Sequence, residues 1–389
     1  MKKIFCLLFF IFLSVFLSTQ EIQHDAVAIN IEVPVRVFKG KQFIDNLTLQ
    51  DFELFENGSL QDIEAVYLIR KASIQREEAR QESESLPQKF DPKVSRHFIL
   101  IFEVMDYLPR IKDAIDYFFN TVVAPGDSLQ VVTPARSYSF KTEALERLSR
   151  DVIAKQLNDR LRTDITLGTR EYKNIFKDYL RIYRMDFPMD LKLLMLKEKI
   201  RELKAVRYLN EQKFQEFAQA LRSQTGQKNV FFFYQKEMLP FPSIPPESME
   251  YLEFWSELVS FQSFDAEKIK QAYSDSSITV HFLYITKTQA QDLSLNVERM
   301  RSARDMETTD ISIDIFDIFN TMARTTGGLS ESSANPAAAF KKAADAAENY
   351  YLLYYTPKKY QADGKFRTIK VKVKGKNYRI IHRAGYVAD

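Results

Sequence analysis

Near the start of the chain the hydrophobic positions fall on every second residue. From Ala26 to Phe38, Val27, Ile29, Ile31, Val33, Val35 and Val37 share one face, the period of a half-buried strand. Gly40-Lys41 predicts a turn, Phe43-Ile44 resumes the strand pattern, and Asp51 to Phe55 predicts another short strand. Asn57-Gly58 marks a hairpin, because both residues tolerate positive φ, and Ile63 to Ile69 closes it. Residues 21–70 therefore read as an N-terminal β-module. The charged and polar stretch 71–95, with Pro87 and Pro92, reads as an exposed linker.

From Arg96 the pattern changes. Phe98 to Phe102 is a continuous apolar run, ending in Glu103 and Asp106 and followed by a helix-compatible segment. Strands are predicted at 97–103, 128–133, 229–234 and 278–285, and helices at 109–120, 143–160, 247–272 and 310–325. This alternation predicts an α/β domain over 96–345, with a doubly wound, mostly parallel sheet covered on both faces. Ligands of such sheets bind at the carboxyl ends of the strands.

Residues 164–224 break the alternation. Leu196, Ile200, Leu203, Phe214, Phe217 and Leu221 recur mostly at spacings of three and four, which predicts a helical insertion. It is one long amphipathic helix or a hairpin broken near Pro188, and it either packs on its own sheet or docks a partner. Residues 346–389 return to strands: Tyr350–Tyr355, Phe366–Val373 and Tyr378–His382. This C-terminal β segment is a candidate to pair with 26–70.

Composition narrows the class. The chain has 389 residues, 45% hydrophobic and 28% charged, which suits a folded protein. Lys2 and Lys3 precede an apolar run from Ile4 to Leu17 and then Ser18, Thr19 and Gln20. Residues 1–20 read as a secretory signal peptide, with a retained anchor as the rival reading. Its removal takes away the single cysteine, Cys6, and leaves 53 basic residues against 52 acidic ones, so no nucleic-acid partner is implied. The expected location is secreted or periplasmic, with no integral membrane span in the mature chain.

The sequence contains no Gly-x-Ser-x-Gly elbow, phosphate loop, dinucleotide fingerprint or His-Glu-x-x-His. His24, His97, His281 and His382 are scattered, and His97 and His281 fall in strands as structural residues. The chain reads as non-enzymatic.

Several segments together resemble the bacterial secreted proteins with a von Willebrand factor A-related domain, of the acidobacterial type. They are Val33-Pro-Val-Arg-Val-Phe-Lys-Gly with Leu47 to Gly58, Ala124-Pro-Gly-Asp-Ser-Leu-Gln-Val-Val, Met322-Ala-Arg-Thr-Thr-Gly-Gly, and Tyr350 to Pro357 with Gly364 to Val373 and Arg383-Ala-Gly-Tyr. The resemblance implies a von Willebrand A-like sheet and a protein-binding role. It also implies a divalent-cation adhesion site built from an Asp-x-Ser-x-Ser turn, a loop Thr and a later Asp. Laid on that pattern, Glu103 stands at the first Asp, Met105 and Tyr107 at the serines and Gln235 at the later Asp. Thr166 or Thr169 would be the loop Thr. With both serines and one Asp replaced, the site reads as vestigial and no cofactor is expected. A distorted Mg²⁺ or Ca²⁺ site on Glu103 and Asp106 is the alternative.

The chain thus reads as a secreted, non-enzymatic adhesion or scaffold protein with an unidentified protein partner. The alternatives are an assembly component of an envelope complex that acts through the helical insertion, or a divalent-cation-dependent adhesion domain with a distorted site.

Overall fold

The computed structural model describes residues 29–80, 90, 92, 94–207, 211–242, 248–259, 265–273, 277–287, 307–375 and 377–388. The signal-peptide segment, and the 81–89 part of the expected linker, lie outside them.

The two ends of the chain build one β-sandwich. Strand β1 (Ile31–Lys39) is central in the first sheet and pairs antiparallel with β2 (Gln42–Phe43), β15 (Asn349–Tyr355) and β17 (Arg379–His382). On the far side of β15 lie β5 (Ala65–Arg70) and then β6 (Ser73–Ala79). The second sheet has the order β18 (Gly385–Val387), β16 (Phe366–Val373), β3 (Phe52–Glu56), β4 (Ser59–Gln61), all antiparallel. Val33, Val35 and Val37 face Leu54, Ile369 and Val371 across a shared core. Strand β15 is apolar on both faces for a reason. Tyr351, Leu353 and Tyr355 enter that core, while Tyr350, Leu352 and Tyr354 pack with Tyr67 and Ile69 behind the sheet.

Part of the expected linker is a strand. Lys71 and Ala72, both at positive φ, turn β5 directly into β6. Its Arg-Glu-Glu sequence reads as a linker because it lies on a sheet edge, where exposed charges block further pairing.

The middle of the chain forms a third sheet, ordered β14 (Ser330–Ser333), β12 (Ile278–Ile285), β10 (Gln227–Gln235), β7 (Arg96–Glu103), β8 (Ser128–Val132), β9 (Ser137–Phe140). The four contacts from β14 to β8 are parallel, and β9 closes the edge antiparallel. Helices α1 (Pro109–Tyr117), α3 (Arg150–Gly168) and α10 (Pro336–Glu348) cover Phe98, Leu100 and Phe233. Between α1 and α3 the chain makes a π-helical turn at Phe118–Val122 and then α2 (Thr142–Arg147). Helices α6 (Glu211–Arg222), α8 (Ala266–Ala272) and α9 (Ile313–Thr326) cover Val230, Phe232 and Phe282.

The expected class, an α/β chain organised as a von Willebrand A-like doubly wound parallel sheet, is corrected by the pairing. Twelve of the eighteen described strands belong to sheets that are antiparallel throughout, and parallel pairing is confined to four contacts. The protein is a mixed, predominantly antiparallel α+β structure. The strand–helix alternation that suggested otherwise spans the middle only. At the chain ends, period-two segments meet through tight turns and long-range antiparallel contacts instead.

The insertion is several helices. After α3, α4 (Arg170–Arg184) and α5 (Met189–Arg207) form an antiparallel pair that breaks across Met185–Pro188, and α6 follows. Only α6 reaches the central sheet's core. α4 and α5 instead share a separate core with α7 (Met249–Val259) and with the ribbon of β11 (Met238–Phe241) and β13 (Glu307–Asp310). Among the described residues no helix is long and apolar enough to cross a membrane.

Buried Arg36 of β1 ties the sandwich to the middle. It donates from Nη1 to the Gly327 carbonyl at 2.8 Å, and from Nε to the Ala346 carbonyl. Those carbonyls lie at the C-terminal ends of α9 and α10, where helix dipoles favour a cation. Burial lowers its pKa to about 10. Gly327 takes the left-handed conformation that ends α9, and Gly328 lies so close to β12 that a Cβ would meet the Val280 carbonyl oxygen at 1.8 Å.

Candidate functional site

Parallel strands β7, β10 and β12 end together, and their carboxyl ends carry the predicted site residues. The register sets Glu103 beside Tyr234, one residue before Gln235. Glu103, Met105, Asp106, Tyr107, Gln235 and Thr169 are thereby gathered at one mouth, while Thr166 faces outward on α3 and donates to the Arg162 carbonyl.

Their polar atoms are committed to one another and to the backbone. Gln235 Oε1 accepts from the amides of Met105 at 3.0 Å and Asp106 at 3.1 Å, and its Nε2 donates to the Lys287 carbonyl at 3.0 Å. A single amide thus shapes the loop after β7 and joins it to the loop after β12. The ammonium of Lys173, from α4, contacts the Asp106 carboxylate at 2.9 Å. Tyr107 donates to Asn158 Oδ1, Met105 packs on the insertion core, and Thr169 donates to the Ile165 carbonyl at 2.6 Å.

A hard divalent cation wants about six oxygens in a near-octahedral shell. Here one carboxylate is held by a lysine, the glutamine oxygen is filled by two amides, and a thioether replaces a hydroxyl. The donor set does not fit such an ion. Among the described residues, no group of three or more His, Cys, Asp or Glu is placed to hold a metal.

Deeper in the same mouth lies a polar cluster that sequence reasoning missed. Glu237 follows β10 and is buried. Tyr234 donates to its Oε1, and its amide donates to Ser312 Oγ at 3.1 Å. Tyr284 of β12 donates to Asp310 at 3.0 Å and lies 2.9 Å from Ser312 Oγ, while Lys236 approaches Asp310 at 3.2 Å. Arg207, at the end of α5, pairs with Asp314 in the first turn of α9 at 3.0 Å, both side chains buried. The cluster joins β10, β12, α5 and α9. Its sequence signals were faint: Gln235-Lys-Glu directly after the apolar run Val230–Tyr234, and Asp310-Ile-Ser312-Ile-Asp314 at a helix start.

Glu103 is the group most altered by this setting. Burial, and then the nearby Glu237 carboxyl, push its pKa up to about 7. Burial also raises Glu237, opposed by Arg207. A carboxyl that titrates near neutrality can exchange protons, but general acid–base work also needs room for a substrate beside it. Three surface grooves lie elsewhere, on the insertion and against α6 and α8, lined by other residues.

Asp127, His97 and His281 are held by structural partners. Asp127 receives both Arg96 Nε and Nη2, at 3.0 and 2.7 Å, as well as the Ala124 amide. His97 bridges Ser128 and the Thr225 carbonyl. His281 is stacked on Phe231, and burial, reinforced by Arg36, holds its pKa well below the usual value. No protein family, curated protein or solved structure matches this chain.

Proposed function

We propose that the protein is a secreted or periplasmic, non-enzymatic protein-binding component whose contact surface is the helical insertion. One observation carries this reading. Of the thirteen large apolar side chains that are exposed among the described residues, ten lie between Leu148 and Leu252, on or next to the helices of this block. Exposed apolar side chains concentrated in one region are a mark of interaction surfaces.

The helices bring several of them together. Lys197–Glu253 and Arg201–Glu257 join α5 and α7 side by side and in parallel, at 2.9 and 3.0 Å. Leu191 and Leu194 of α5 and Met249 of α7 then sit at the same end of the pair, with Leu194 61% and Met249 67% exposed. Between α4 and α5 a groove of about 640 Å³ has Leu167, Ile175, Ala205 and Val206 in its walls. The mouth of the central sheet, by contrast, is closed by its own hydrogen bonds.

The test is site-specific photo-crosslinking in the native envelope. A photoreactive residue at Leu194 or Leu252 is expected to capture a protein, and one at Leu60 in the sandwich is not. Capture only from Asp106 or Lys287 at the sheet mouth would reject the helical surface.

A further inference from the structure

Helix α4 sorts its side chains by face. Tyr172, Phe176, Tyr179 and Leu180 turn inward, into the core shared with α5 and α7. Arg170, Lys177, Arg181 and Arg184 follow one another at spacings of seven, four and three, which sets them on one stripe opposite those side chains. All four are exposed, over about 21 Å at about 1.5 Å per residue. The two acids of the helix, Glu171 and Asp178, turn aside to the groove against α5. Arg181 shares Asp178 at 2.9 Å. Arg170, Lys177 and Arg184 make no ion pair or side-chain hydrogen bond among the described residues. The chain as a whole is nearly balanced, at a formal net charge of +3, so this stripe is a local feature. Just beyond its C-terminal end Phe187 and Met189 are exposed as well.

We propose that α4 docks this stripe on an anionic phospholipid surface, with Phe187 and Met189 entering the headgroup layer. The outer face of a helix is convex, and three uncommitted cations spread along it match a plane of negative headgroups better than one discrete anion. A bilayer also takes up Phe187 and Met189, which a purely acidic partner would leave in water. The stripe lies on a different helix from Leu194 and Leu252, so the inference does not depend on the protein contact proposed there.

Co-sedimentation of the mature chain with lipid vesicles tests it. Vesicles of phosphatidylglycerol and phosphatidylcholine in equal parts are expected to bind the chain, and phosphatidylcholine alone is not. Salt at about 0.5 M should release it. Arg170→Gln, Lys177→Gln and Arg184→Gln should each weaken binding about fivefold and together about a hundredfold. Thermal melting should not change, because all three side chains are exposed. Lys359→Gln, Lys370→Gln and Lys374→Gln combined, on the sandwich, remove the same charge and should leave binding within about twofold of the parent. An equal loss from that control would reduce the effect to net charge, and equal binding to phosphatidylcholine would remove the role of charge. Retention on polyglutamate without vesicle binding would assign the stripe to an acidic protein. Each of these results, or no vesicle binding at all, would overturn the proposal.

Discussion

The terminal β-sandwich and the helical insertion solve opposite problems. In the sandwich, two sheets turn their apolar faces toward each other, and Tyr355 and Tyr386 both donate to buried Glu56, so even the polar atoms of the core are used. Among the described residues there, Leu60 and Ile74 are the exposed large apolar side chains. The insertion and α7 pack Tyr179, Leu196, Leu203 and Phe254 inside, yet leave Leu191, Leu194, Met249 and Leu252 outside. A helix pair buries one stripe on each member, and any apolar residue off that stripe stays in water unless another element covers it. One region closes its apolar surface; the other leaves part of it in water.

Substitutions should separate the two. The largest effect is expected for Gly328→Ala, because its Cβ meets backbone of β12 at 1.8 Å and the sheet cannot yield cheaply. A loss of about 3 kcal/mol or more in denaturant unfolding is expected; a loss below about 1 kcal/mol would show that the β12–β14 edge is pliant. Next is Arg36→Ala, which strips buried helix-end carbonyls of a charged donor and should cost about 2–3 kcal/mol. It should also raise hydrogen exchange at the ends of α9 and α10 while leaving α4 and α5 unchanged.

The pH response comes third. The folded pKa of Glu103, about 7, lies above the ordinary carboxylate value, so its protonated form favours the fold. This contribution is complete below about pH 4 and is lost as pH rises through about 7. Glu103→Gln should flatten the decline between pH 5 and 8 by about 1–2 kcal/mol, and an unchanged slope would assign the decline to other groups. The smallest effect is predicted for Leu194→Asp, within about 0.5 kcal/mol of the parent in thermal melts but with partner crosslinking abolished. A large loss of stability would place Leu194 inside a packed surface.

Much of the local structure was legible. The valines of β1, the Asn57-Gly58 turn and the break before Met189 follow from side-chain period, backbone tolerance and proline chemistry. The acidic edge strand β6 was not, because its charges face water and resemble a linker. At the sheet mouth, Glu103, Asp106 and Gln235 were identifiable as the ends of apolar runs. Their fates were not, since Lys173 and Glu237 reach them from elements far along the chain.

The sequence by itself determined where strands and helices form, which residues seek a core, and that the usual catalytic signatures are missing. It did so because period, turn chemistry and side-chain type act over a few residues. Tertiary structure alone decided that β1 lies between β15 and β17, that pairing is mainly antiparallel, and that a lysine and two backbone amides occupy the oxygens at the sheet mouth. Those outcomes depend on contacts between residues up to hundreds of positions apart, whose energies no local pattern records.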